Sequence, residues 1–177
     1  MTDIFLFGDP CDDRLGGMIR RRLSNTYRIT YITENRFLRL GQGYDLLFYD
    51  GNPREVEGAP GAILILKQNT SLPERLPDDC TAIISADSEA QRTAVREQKL
   101  RTIACGVNAT ATVSFSSETD ETLVVTLNRA ITALSGKEIQ PLEIPVFKEG
   151  LDHDTLMRFT ALRLLLDDFD SELGKLY

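Results

Sequence analysis

Ile4-Phe-Leu-Phe-Gly-Asp-Pro-Cys-Asp-Asp-Arg-Leu-Gly-Gly-Met-Ile-Arg-Arg-Arg-Leu23 contains a change of period. Ile4 to Phe7 are four consecutive apolar residues, the pattern of a strand covered on both faces. Gly8-Asp9-Pro10 stops that strand. Leu15, Met18, Ile19 and Leu23 then recur at helical spacing, with Asp12 or Asp13 as the candidate cap. Gly16-Gly17 costs a helix about 1 kcal/mol per residue relative to Ala. Close packing on a sheet, or a shortened helix, would account for both glycines. A strand that runs through a glycine turn into an amphipathic helix is the opening unit of a layered α/β fold.

The same alternation continues downstream. Arg28 to Ile32 alternates as a strand, Glu34 to Leu40 reads as a short helical turn, and Asp45 to Tyr49 is a third strand. Asp50-Gly-Asn-Pro53 is strong turn chemistry. Gly61 to Leu66 is the most apolar strand, and Thr81 to Ile84 follows it. Ser88 and Gln91 have capping-box spacing for a helix that turns Ala90, Ala94 and Val95 inward. Arg101 to Ala104 is the sixth strand, ended by Gly106. These elements predict an α/β class: a three-layer, mostly parallel, Rossmann-like sheet.

After Gly106 the pattern changes. Thr110 to Phe115 alternates. Leu123 to Leu134 fits both helical and strand spacing, and its β-branched density favours strand. Ser135-Gly-Lys137 then makes a hairpin turn with a return strand from Ile139 to Phe147, whose Pro141 and Pro145 mark an edge. Asp152 or Asp154 caps a final helix carrying Leu156, Phe159, Leu162, Leu166, Phe169 and Leu173. The expectation is one domain over 1–177: a parallel βα part at 1–106, antiparallel strands at 107–150 and a C-terminal helix at 151–177.

Composition narrows the function. The 177 residues carry 20 Lys plus Arg against 27 Asp plus Glu, a net charge of −7. Nucleic-acid binding needs a basic face, so no nucleic-acid partner is expected. No segment reaches membrane-span length and no signal peptide opens the chain, so a cytoplasmic protein is expected. Three cysteines and one histidine make a structural zinc site improbable.

Arg101-Thr-Ile-Ala-Cys-Gly106, Thr110-Ala-Thr-Val-Ser-Phe-Ser-Ser117, Gly136 and Glu143-Ile-Pro-Val146 resemble an uncharacterised family of Clostridia-type bacterial proteins. More distantly they resemble the central domain of Mur ligases, which join amino acids to peptidoglycan precursors using ATP. In that family a Gly-x-His-Asn motif opens a helix. Here Gly150-Leu-Asp-His-Asp154 opens the final helix, with one residue more and Asp154 in place of Asn. The family's nucleotide loop ends in Gly-Lys-Thr or Gly-Lys-Ser. Here Gly8-Asp-Pro-Cys-Asp-Asp13 has no lysine, Pro10 removes an amide, and three carboxylates oppose phosphate. The resemblance therefore implies a degenerate nucleotide site and a non-catalytic ligand- or partner-binding module.

In open α/β sheets ligands bind beyond the strand carboxyl ends. The candidate ligand residues there are Gly8, Asp9, Asp12, Asp13, Asp50 and Lys67, with His153 as the only imidazole. Asp9, Asp12, Asp13 and Asp50 are the candidate metal ligands, with Mg²⁺ the one cofactor they suggest. The bland alternative is that these aspartates cap the helix and shape turns. A second function reading is a Mg²⁺-dependent phospho-acceptor or small enzyme built on this Asp cluster. No catalytic residue is assigned. Leu164-Leu-Leu166 widens the apolar face of the last helix, so a homo-oligomer through that helix is a further expectation.

Overall fold

The computed structural model describes residues 1–57, 59–68, 70 and 72–169. The chain forms two compact units, Met1–Thr102 and a second that begins at Ile103.

In the first unit, β1 (Thr2–Phe7) leads into α1 (Arg14–Leu23), β2 (Tyr27–Thr33), β3 (Arg36–Leu40), β4 (Tyr44–Asp50), β5 (Ile63–Leu66), β6 (Thr81–Ser85) and α2 (Glu89–Glu97). The strand order is β6-β5-β1-β4-β2-β3. All neighbours are parallel except β3, which runs antiparallel to β2. Chain order and spatial order diverge at β1. From β1 the chain moves towards β2, whereas from β5 it moves towards β6. The crevice at the carboxyl ends of β1 and β5 is thus the topological switch point.

The helical turn expected at Glu34 to Leu40 is instead a strand. A two-residue turn at Glu34-Asn35 folds β3 back on β2, with Leu38 opposite Tyr31 and Leu40 opposite Ile29. Alternation of Phe37 and Arg39 against Leu38 and Leu40 suits a sheet with one drier face. Of the Gly16-Gly17 pair, Gly16 reflects close packing, whereas a Cβ on Gly17 would meet nothing closer than 3.6 Å. A Cβ on Gly16 would lie 2.2 Å from the Tyr31 hydroxyl, so only glycine lets α1 approach β2 there.

Among the described residues, two connections in this unit, 51–62 and 67–80, contain no helix. They are laced together instead. Val56 N donates to Arg75 O and Glu74 N to Arg54 O, both at 3.0 Å. In α2, Ser88 Oγ accepts from Gln91 N at 3.3 Å, as the capping spacing predicts. The reciprocal half of the box is absent, because the Gln91 side chain is buried and bonds Ser85 N and Lys67 O. Val95 packs inward as expected, whereas Ala90 is exposed: Gln91 takes the inward position.

The second unit begins within β7 (Arg101–Cys105) and holds β8 (Val113–Glu118), β9 (Thr122–Leu127), β10 (Ile131–Thr132), β11 (Glu138–Ile139), β12 (Leu142–Phe147) and α3 (His153–Leu165). Its strand order is β12-β9-β8-β7: β9 runs antiparallel to both of its neighbours, β8 and β12, and β8 is parallel to β7. The strand reading of Leu123 to Leu134 holds for β9 and β10. The strand expected from Thr110 starts only at Val113, because Asn128 holds the preceding turn: its Nδ2 donates to Ala111 O and its backbone N to Thr112 O. The return strand from Ile139 is broken at Pro141 into β11, which closes the small hairpin around Gly136, and β12, which pairs with β9. Pro145 lies on the outermost strand, where a missing amide costs nothing.

Asp152, not Asp154, caps α3, accepting Thr155 N and Oγ1 at 2.9 Å each. The helix stops at Leu165 with Leu166 as its C-cap, so Phe169 lies beyond it and Leu173 is outside the described residues. Residues Thr155 to Leu165 are all buried. Leu164 and Leu165, expected to widen an apolar face toward a second copy, are buried, and Leu166 is half-buried.

Candidate functional site

Lys67 follows β5 and Asp50 ends β4. The Lys67 ammonium donates to Asp50 Oδ1 at 2.7 Å, and both side chains are at most 4% exposed. Tyr31 donates its hydroxyl to the other oxygen, Asp50 Oδ2, at 2.6 Å. The Lys67 ammonium also donates to the carbonyls of Asp9 (3.1 Å) and Asp12 (2.9 Å) in the turn after β1. A lone buried charge is expensive, and here each charge meets its opposite plus further hydrogen bonds. Asp50 has both oxygens engaged, and all three donated bonds of the lysine are accounted for. The Tyr31 hydroxyl is held above its ordinary pKa by burial and by the Asp50 carboxylate that it bonds. The Arg20 guanidinium lies 4.6 Å from the Tyr31 ring centroid and pairs with Asp13.

This network explains the turn after β1. Its carbonyls face an ammonium that the chain itself supplies. Two of its amides are spent inside the turn: Cys11 N donates to Asp9 Oδ1 at 2.8 Å and Asp12 N to Asp9 O at 3.1 Å. Gly8 has φ +140, and a Cβ there would sit 2.5 Å from Lys67 Cβ and 2.8 Å from Thr70 Oγ1. Glycine at this position is what lets the lysine pass. Asn52 fixes the end of β1 from the other side, accepting Gly8 N at 3.0 Å and donating to Gly8 O at 2.9 Å.

The four candidate metal carboxylates do not share a site. Asp9 faces Cys11 N, Asp12 is held by Arg14, Asp13 by Arg20 and Asp50 by Lys67. Among the described residues no three His, Cys, Asp or Glu side chains gather to hold a metal ion. The Arg14 guanidinium on Asp12 lowers that carboxyl below its ordinary pKa. Asp13 sits at the N-cap position of α1 without making a capping bond, because its side chain turns to Arg20. His153 belongs to the second unit, where its Nε2 meets Glu118 Oε1 at 3.0 Å and its ring lies 4.7 Å from that of Phe115. Lys148 pairs with the same carboxylate, and Lys148 first, His153 second, hold Glu118 low.

Beside the network a cavity of about 450 Å³ opens at the carboxyl end of β1, between the connections that follow β4 and β5. Phe7 and Leu72 give it apolar wall, and Gly8, Asp9, Asn52, Arg54 and Thr70 give it polar groups. The Arg54 guanidinium has no ion-pair partner among the described residues. Of the residues predicted from sequence, Gly8 and Asp9 line this cavity, while Asp50 and Lys67 lie in the buried network and do not line it. Tyr31, Asn52, Arg54, Thr70 and Gln91 were not predicted. Asn52 reads as turn chemistry and Gln91 as a cap, and Tyr31 is one alternating aromatic among several, so only three-dimensional pairing reveals them.

No family model matches the chain, and no curated protein matches it. Among solved structures, MurF ligase from Thermotoga maritima in complex with ADP aligns with a TM-score of 0.55 at 9% identity. The alignment covers 98% of this chain and 47% of that one, so this chain spans about half the length of the ligase. The likeness extends to the fold: an α/β, Rossmann-like chain distantly similar to a Mur ligase.

Proposed function

We propose that this protein is a non-catalytic binding module on a Mur-ligase-like framework, and that the cavity beside Gly8, Asn52 and Arg54 takes a small polar ligand. The observation that carries this reading is the buried Lys67–Asp50–Tyr31 network. It closes the turn after β1 with a lysine ammonium and engages both oxygens of the buried Asp50 carboxylate. The space that remains is the adjacent cavity at the switch point, walled by two long helix-free connections of the sort that usually serve function. On this reading the nucleotide-loop position is degenerate, the ligand does not depend on a bound metal, and the protein works in the cytoplasm.

The test is a ligand-observed NMR screen of small polar metabolites, repeated on Leu72→Trp, which fills the cavity. Binding by the native protein that is lost in Leu72→Trp supports the reading. Binders that bind both proteins equally, or no binder at millimolar concentration, count against it.

The pairing of Lys67 with Asp50 also favours a second reading, a phospho-accepting aspartate. Asp50 is 2% exposed, however, and Tyr31 occupies its second oxygen. A phosphoryl donor needs an accessible oxygen, so this reading is the weaker one.

A further inference from the structure

The faces of β1, β4, β2 and β3 differ sharply. Ile4, Leu6, Leu46, Phe48, Ile29 and Tyr31 share one face and are at most 1% exposed. On the opposite face the pairings align residues into two rows across four strands. One row is Phe5–Tyr49–Ile32–Phe37, and the other is Asp3–Leu47–Thr30–Arg39. None of these eight residues is buried, and Phe37 is 62% exposed. Five of the eight are apolar and contiguous, which isolated surface residues are not. Where a layered fold would set a crossover helix between β2 and β4, this chain has the β3 strand, which widens the face instead.

The second row ends in opposite charges. Asp3 stands on β1 and Arg39 on β3, with two strands between them, about 14 Å apart at normal strand spacing. Neither has an ion-pair partner among the described residues. Arg39 instead lies over the Phe37 ring at 5.9 Å. The row below ends the pattern neutrally, because Arg28 and Asp45 pair with each other.

A two-fold axis parallel to the strands, passing between β4 and β2, maps each row onto itself reversed. It lays Asp3 opposite Arg39 of the other copy, and Arg39 opposite Asp3. It also lays Phe5 against Phe37 and Tyr49 against Ile32, at the usual face-to-face sheet distance of about 10 Å. This is the self-complementarity that an isologous interface requires. We infer that a second copy of this chain docks on this face, forming a two-fold dimer through the Phe5–Tyr49–Ile32–Phe37 row and a reciprocal pair of Asp3–Arg39 bridges. An unrelated acidic or basic partner would match only one end of the charged row. The patch is small, which places the dimer among weak, micromolar associations.

Sedimentation velocity of the full chain across about 1–200 μM tests this, a range that brackets such affinities. The native protein is expected to pass from monomer to dimer. Asp3→Arg and Arg39→Asp should each weaken the dimer by about tenfold or more, by setting like charges face to face. An equimolar mixture of the two variants should dimerise again, since each supplies the charge that the other lacks. If either swap disturbs folding, Asp3→Asn and Arg39→Gln test the same bridges without reversing charge. A native protein that stays monomeric, swaps that leave dimerisation unchanged, or a mixture that does not recover would each overturn the inference.

Discussion

Lys67 and Asp50 meet at 2.7 Å, both nearly inaccessible to water, at the carboxyl ends of neighbouring parts of one parallel sheet. The pair ties β5 to β4, Tyr31 extends it to β2, and the Asp9 and Asp12 carbonyls extend it to the turn before α1. One lysine thereby fixes four segments that converge on the switch point.

Breaking this pair from one side should cost more than removing it. Lys67→Met leaves an uncompensated buried carboxylate, and Asp50→Ala leaves an uncompensated ammonium. Each is expected to destabilise by about 3–5 kcal/mol. The double variant Lys67→Met/Asp50→Ala should lose distinctly less than the sum of the singles. Urea unfolding of all three, read as a double-mutant cycle, checks this. Additive losses would mean that the two side chains do not interact as described.

Adjacent glycines in α1 should respond with opposite signs. Gly17→Ala meets nothing closer than 3.6 Å and should stabilise by about 0.5–1 kcal/mol through helix propensity and unfolded-state entropy. Gly16→Ala drives a methyl to 2.2 Å from the hydroxyl of Tyr31, which its bond to Asp50 holds in place. It should destabilise the protein despite the better propensity. Thermal melts of the two variants side by side read the sign directly.

Alkaline pH should unfold the protein earlier than its surface charges alone would. Burial pushes the Cys80 thiol up to about 11 and the Cys105 thiol up to about 12. Burial and the Asp50 carboxylate hold Tyr31 above its ordinary 10.0. All three groups bind protons more tightly when folded. Their contribution is complete below the unfolded values of 9.0 for the thiols and 10.0 for the tyrosine, and it is lost as pH rises through the folded values. Urea midpoints should therefore fall from pH 8.5 upward. Exposed Cys11 should react with a thiol reagent in the native state, whereas buried Cys80 and Cys105 should react only on unfolding.

Acetyl phosphate with Mg²⁺ should not phosphorylate Asp50. Tyr31→Phe frees Asp50 Oδ2 from its hydrogen bond but leaves it buried, so it should not acquire the modification either. Intact-mass spectrometry reads the outcome, and an added phosphoryl group on Asp50 in the native protein would favour the phospho-acceptor reading.

The sequence made the parallel strands legible because their apolar runs are continuous and their turns are marked by Gly8, Asp50-Gly51 and Gly106. It misassigned Glu34 to Leu40, where five residues alternate too briefly to separate a strand from a helical turn without knowing that Leu38 and Leu40 meet Tyr31 and Ile29. At the site, Asp50 and Lys67 were visible as charged residues at strand ends. That they neutralise each other was not, since pairing across 17 residues depends on strand order. The carboxylates of the β1–α1 turn suggested a shared cation because sequence shows their proximity. It does not show that each turns to its own partner, Arg14, Arg20 or a backbone amide.

Calorimetric titration with ATP–Mg²⁺ tests the central claim most directly: that the turn after β1, its carbonyls tied to Lys67 and its Cys11 and Asp12 amides bonded internally, does not capture a nucleotide phosphate. Anion capture needs free amides and a favourable field, and Asp9, Asp12 and Asp13 surround a turn in which the Cys11 and Asp12 amides are already bonded. The account predicts no measurable heat of binding at physiological nucleotide concentration. A Kd below about 1 mM, equivalent to more than about 4.1 kcal/mol of binding, would contradict it.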